Sequence, residues 1–157
     1  MKRLKIYIET SVWNFLITKD SPEKRSLTEH FFREVDQRKH EIFVSDVVMD
    51  ELSEAAEQRR NALRELIHRY EPGRLLANAD FEYLAAGYLK AGIVPERFEN
   101  DLLHIAIAVA HNMDLVLSWN MKHIVKYRTK VEVNSINLRE GFRAIELLTP
   151  EEVVDDE

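Results

Sequence analysis

"DLLHIAIAVAHN", residues 101–112, carries apolar side chains almost all the way round a helical wheel, so a helix here has no broad face for water and packs on two sides. Directly after it, "DLVLS" (114–118) is a short apolar run of strand length. A buried helix leading into a buried strand is half of a parallel βαβ unit, and the rest of the chain repeats the alternation. "LKIYI" (4–8), "EIFVS" (41–45), "GRLLA" (73–77) and "AIELL" (144–148) have the same strand character. Between them the spacing predicts a helix from about Ser11 and one capped by Ser21 with Pro22 in its first turn, where Leu27, Phe31 and Val35 recur every fourth residue. Further helices are expected over 46–58 behind a Ser45 cap, over 61–70, over 80–91 up to Gly92, and in a basic stretch closing near Gly141. The expected class is α/β, a three-layer α/β/α domain around a central parallel sheet.

A chain of 157 residues suits one core, because at this length about 70% of the unfolded surface is buried without splitting into domains. No repeat or Gly/Ser linker interrupts it, and four Gly and four Pro are its only strong punctuation. We therefore expect a single domain over 1–150 and an acidic tail over 151–157. The formal charge of −6 is uneven: five of the 28 acids lie in that tail, leaving 22 bases against 23 acids in the body. This balance argues against a general basic coat for nucleic acid. One local positive stretch exists, Lys122, His123, Lys126, Arg128 and Lys130. Cysteine is absent, which removes disulfides and thiolate metal sites and suits a reducing cytoplasm. The apolar run after Lys2, Arg3 and Lys5 meets Glu9 too soon for a signal peptide or membrane span.

Three acids sit where acids are costly. Glu9 ends the first strand, at the edge where ligands of parallel sheets collect; as a strand-ending residue it also suits the cap of the next helix. Glu51, plotted at about 100° per residue, falls inside the arc of Val47, Val48, Leu52 and Ala55. A carboxylate on a packing face needs a partner, either an Arg or Lys from another helix or a cation. Asp101 enters the first turn of the apolar helix, where the dipole favours an anion and capping is its ordinary task. Asn120, in "SWN" (118–120), offers a neutral oxygen past the fourth strand. If the four converge, mutual repulsion calls for a divalent cation, and hard oxygen donors suit Mg²⁺ or Mn²⁺. Thr10 or Ser11 would then orient Glu9 or a bound water.

In these motifs and their order the sequence resembles the PIN-domain family, metal-dependent nucleases that include the VapC-type toxins of toxin-antitoxin pairs. "YIETS" matches the family's hydrophobic-Asp-Thr-Ser run, and Glu51 in "SDVVMDEL" matches a helix Glu after the second strand. "NDLLHIAIAVA" matches an Asp opening an Ala-rich helix, and "SWN" matches a Thr-x-Asp type motif. Glu9 stands where the family usually has Asp, and Asn120 where many members have a final Asp; both keep an oxygen ligand.

The resemblance implies hydrolysis of RNA phosphodiesters by a metal-dependent endoribonuclease, acting as the toxin of a toxin-antitoxin pair. Glu9, Glu51, Asp101 and Asn120 would be the catalytic and metal-holding set for Mg²⁺ or Mn²⁺. Thr10, Lys122 and Lys126 would face substrate, and the partners would be RNA, a small antitoxin and a second copy of the chain, with no membrane. Trp13 and Trp119 flank two motifs and suit either the core or stacking on bases; His104 suits either a hydrogen-bonded helix position or proton transfer. The alternative function is a degenerate PIN-like module that binds RNA or protein without cleaving. A receiver-like phosphoryl-transfer domain would need adjacent acids after the first strand, where only Glu9 stands. No Gly-rich phosphate loop or Gly-x-Ser-x-Gly elbow appears.

Overall fold

A computed structural model describes residues 2–156; Glu157, the last acid of the tail, lies outside the described residues. Five strands, β1 (Leu4–Ile8), β2 (His40–Ser45), β3 (Gly73–Leu75), β4 (Leu115–Leu117) and β5 (Glu146–Leu148), form one sheet in the order β3-β2-β1-β4-β5. Every pairing is parallel, with Ile6 opposite both Ile42 and Leu115. Ile6, Tyr7 and Ile8 of β1 and Val116 and Leu117 of β4 are all fully buried. Successive side chains of a strand point to opposite faces, so both faces are covered and the fold is the expected three-layer α/β/α domain.

The covering helices are α1 (Thr10–Asn14), α2 (Pro22–Asp36), α3 (Asp46–Ser53), α4 (Glu57–Tyr70), α5 (Ala79–Lys90), α6 (Glu99–Ala110), α7 (Tyr127–Arg139) and the short α8 (Pro150–Val153). A 3₁₀ turn over Glu96–Phe98 leads into α6. In α6 every residue from Ile105 to Val109 is buried, as its apolar circumference requires. Ser21 occupies the cap position of α2 with Pro22 next to it, and the Ser45 hydroxyl accepts from the Val47 N–H at the start of α3.

The helix expected over 46–58 ends five residues early. The Ser53 hydroxyl donates to the Asp50 carbonyl, and the next bonds run Glu54 to Glu51 and Ala55 to Leu52 in tightened turns, so the chain breaks before α4. This is local competition by a hydroxyl for a helix carbonyl. Beyond α8, the Asp155 N–H donates to the Glu34 carboxylate and its side chain meets Lys39 at 3.1 Å, so this part of the tail lies against α2. Among the described residues no helix is long and apolar enough to cross a membrane.

Candidate metal centre

The strand order places the chain's reversal point between β1 and β4: one branch of the sheet runs outward from β1 through β2 to β3, the other through β4 to β5. At such a point the loops after two adjacent strands diverge and leave a crevice. Glu9 follows β1, and Ser118, Trp119 and Asn120 follow β4. The Glu9 N–H still donates to the Leu117 carbonyl at 3.0 Å, so the two strand ends are held together where they enter the site.

Glu9 is only 5% exposed, and although it takes the cap position of α1 its side chain makes no capping bond. Its carboxylate instead accepts from two hydroxyls at one oxygen, Ser11 at 2.5 Å and Ser118 at 2.7 Å, both onto Oε1. Ser11 in turn accepts from the Trp119 N–H, and Ser118 from the Asn120 N–H. Ser11 is thus the hydroxyl that orients Glu9, and Thr10 turns to Glu51.

Glu51 projects from α3 with its partners also gathered on Oε1: Thr10 Oγ1 donates at 2.7 Å and His104 Nε2 at 2.5 Å. The partner of this acid is therefore an imidazole from α6, not the Arg or Lys of the ordinary packing explanation. Among the described residues, Oε2 of Glu9 and Oε2 of Glu51 receive no hydrogen bond. Each carboxylate has one oxygen held by the protein and one to offer a ligand.

His104 is fully buried and bonded at both ring nitrogens. Its Nδ1 lies 2.7 Å from the Tyr7 hydroxyl, which lies 2.7 Å from the Ser45 hydroxyl. Burial opposes the imidazolium, but the Glu51 hydrogen bond and the charges of Glu9, Glu51 and Asp101 outweigh it and raise the His104 pKa. For Glu51, burial opposes the carboxylate, while the bond and charge of His104 and the Thr10 hydroxyl lower its pKa below the usual value. One ligand atom from each of Glu9, Glu51 and His104 lies within 4.8 Å of the others, a span a single cation can bridge. The donor set of two carboxylates and an imidazole, with free oxygens on both acids, fits a divalent metal.

The other two expected ligands stand beside this group. Asp101 lies in the first turn of α6, one turn before His104, and does not cap it; its Oδ2 meets His123 Nδ1 at 3.0 Å. Its charge reaches His104, so it belongs to the same electrostatic site. Asn120 Oδ1 accepts from the His123 N–H at 3.0 Å, holding the turn after β4. His123, counted among the positive stretch, is packed on Phe98 at 4.2 Å between ring centroids and is not a free surface cation. Lys122 and Lys126 are exposed.

Stacking of bases on the two tryptophans is excluded by burial. Trp13 is fully buried against Phe32 and Tyr70, and Trp119 is 7% exposed, with its Nε1 donating to Thr28. The sequence alone gives Tyr7, Ser45, Ser118 and His123 no role in the site, with Ser45 legible as a cap, Ser118 as part of "SWN" and His123 as part of the positive stretch. Tyr7 alone gave a signal of such a role, a hydroxyl within a strand otherwise buried on both faces.

The PIN domain family profile matches residues 6–122, a span that contains all four expected ligands. Among solved structures, VapBC2 from Rickettsia felis bound to a DNA fragment from its promoter aligns with a TM-score of 0.59 at 15% identity, covering 93% of this chain and 98% of that one. VapBC-1 from nontypeable Haemophilus influenzae aligns at 0.60 and 13% identity over 94% of this chain and 99% of the other. Mycobacterium tuberculosis VapC20, a toxin cleaving the sarcin-ricin loop, aligns at 0.54 and 15% identity, covering 71% of this chain and 86% of its own. A search of curated protein sequences gave no match. With three quarters of its length matched by that profile and the crevice built as described, the chain belongs to the PIN-domain family.

Proposed function

We propose that this protein is a metal-dependent endoribonuclease that hydrolyses RNA phosphodiester bonds. The observation that carries the reading is the meeting of Glu9 and Glu51, from segments 42 residues apart in sequence, with one unpartnered oxygen each at the β1/β4 crevice. Glu9, Glu51 and Asp101 would hold Mg²⁺ or Mn²⁺, with Asn120 supplying a further oxygen. The chemistry such a cation would supply there is polarisation of the phosphate and a lowered pKa of the attacking water. The protein's own part is to keep the donors fixed: Ser11 and Ser118 hold Glu9, Thr10 and His104 hold Glu51, and His123 holds Asp101. Lys122 and Lys126, exposed just beyond the crevice, neutralise the substrate backbone. Water adds to phosphorus with loss of a proton, the bond to the leaving ribose oxygen breaks, and that oxygen takes up a proton from solvent to leave as a hydroxyl.

The VapBC likeness supports the finer reading that the chain is the toxin of a toxin-antitoxin pair, restrained by a small antitoxin; a homodimer in the cytoplasm goes with that reading as part of the proposal. The test is single-turnover cleavage of an RNA mixture by chelated protein, before and after Mg²⁺ or Mn²⁺ is restored. Cleavage only with metal, and at least 100-fold slower with Glu51→Gln, is expected. Equal cleavage in chelator rejects the metal mechanism, and RNA retention without turnover identifies a binding module instead.

A further inference from the structure

His104 lies outside the all-oxygen ligand set, yet it is the residue whose ring nitrogen lies within bridging distance of both glutamates. Two roles are open to a buried imidazole in this position. As a hydrogen-bond donor it would only orient Glu51. As a ligand it must present a bare lone pair at Nε2, which requires the ring proton to sit on Nδ1 and find an acceptor there.

The surroundings supply that acceptor. Nδ1 faces a hydroxyl, Tyr7, and that hydroxyl faces another, Ser45. Each hydroxyl both donates and accepts, so the row of ring, phenol and serine can run in either direction. In one direction Ser45 donates to Tyr7, Tyr7 donates to Nδ1, and Nε2–H donates to Glu51. In the other, Nδ1–H donates to the Tyr7 oxygen, Tyr7 donates to Ser45, and Nε2 turns a bare lone pair toward Glu51 Oε1, 2.5 Å away, so that a cation enters as this glutamate oxygen swings aside. Ser45 Oγ, already accepting from the Val47 N–H at 3.2 Å, has a second lone pair for the incoming bond. A carbonyl or carboxylate in place of Tyr7 would fix a single direction; two hydroxyls in series do not.

We propose that His104 Nε2 is a direct ligand of the metal, adding an imidazole to the carboxylates of Glu9, Glu51 and Asp101 in a mixed site that favours Mn²⁺ and later transition metals over Mg²⁺. The inference rests on the metal-dependent reading of this crevice and deepens it. Imidazole nitrogen gains more from a transition ion than from Mg²⁺, which prefers oxygen donors and its own waters. His104 thereby moves the site away from the selectivity that an all-carboxylate shell gives. Tyr7 and Ser45 are positioning residues, acting through the ring.

The test uses the whole chain loaded with Mn²⁺ and read by pulsed electron paramagnetic resonance. Modulation from a directly coordinated imidazole nitrogen is expected in the unmodified protein and is lost in His104→Gln. In parallel, calorimetric titration should give Mn²⁺ at least about tenfold tighter than Mg²⁺, with the ratio falling in His104→Gln. Tyr7→Phe, which leaves Nδ1–H without an acceptor, should weaken Mn²⁺ about tenfold or more while the folded spectrum is kept. Bound Mn²⁺ without nitrogen modulation overturns this proposal and leaves the carboxylate-held metal standing; a chain that binds no Mn²⁺ overturns both.

Discussion

Glu9 illustrates what a single side chain must overcome to stand at the edge of a buried strand. An ionised carboxylate at 5% exposure is expensive without partners, and two serine hydroxyls on one of its oxygens offset that cost. If this is preorganisation for a cation, Ser118→Ala should weaken Mn²⁺ binding by about tenfold, the lower end of what outer partners of metal ligands are worth. Calorimetry with Mn²⁺ reads the change; unchanged affinity would make the serine pair a purely structural device. At this scale the sequence was informative about acids and poor about their partners. Glu51 was recognisable because it interrupts an apolar arc on its own helix. That its partner is His104 depends on how α3 and α6 pack together, which no local pattern records.

Strands and helices were largely legible because their apolar runs are long compared with their boundaries. The ends were not: β3 and β5 keep three paired residues each where five were expected in each, because pairing rather than apolarity ends a strand. The stop of α3 at Ser53 turns on one hydroxyl bond in a sequence that carries no Gly or Pro there. Two glycines test the packing of these elements in opposite directions. Gly73 in β3 pairs with Phe43 of β2, and a Cβ there would come within 2.6 Å of the Phe43 ring. Gly73→Ala should therefore cost about 1–3 kcal/mol through overpacking. Gly87, inside α5, has its nearest such neighbour, Ile136 Cγ2, at 3.8 Å. Gly87→Ala should stabilise by about 0.5–1 kcal/mol, since alanine loses less backbone freedom in a helix. Urea midpoints of the two variants, measured together, decide both; a destabilised Gly87→Ala would show that α5 and α7 approach more closely than described.

Taken as a whole molecule, the domain is a sheet buried on both faces; among the described residues most buried polar side chains converge near one crevice or are hydrogen-bonded in the core, while Trp13 Nε1 and His40 Nδ1 have no partner. Tyr7 and Tyr88 are fully buried phenols. Burial is the main cause that raises both pKa values above the ordinary 10, against the opposing Ser45 bond at Tyr7 and Asn137 bond at Tyr88. A group raised on folding contributes stability that is complete below its unfolded pKa and is lost as pH rises above it. The contribution of these phenols should thus be level below about pH 10 and lower the urea midpoint beyond it, and Tyr88→Phe should make that fall shallower; a slope unaffected by the substitution would assign the loss to other groups. The overall architecture was the most legible level, because an alternation of buried strands and helices admits few arrangements. The strand order that puts the crevice between β1 and β4 was not, since short apolar strands of similar composition carry no record of their neighbours.

The central claim, that Glu9 and Glu51 meet in order to hold a cation, is tested most directly by the anomalous difference map of a crystal soaked in Mn²⁺. One peak between the two carboxylates at the carboxyl ends of β1 and β4 is the predicted result. A fully soaked crystal with no peak there, or with Mn²⁺ bound only elsewhere, would contradict it.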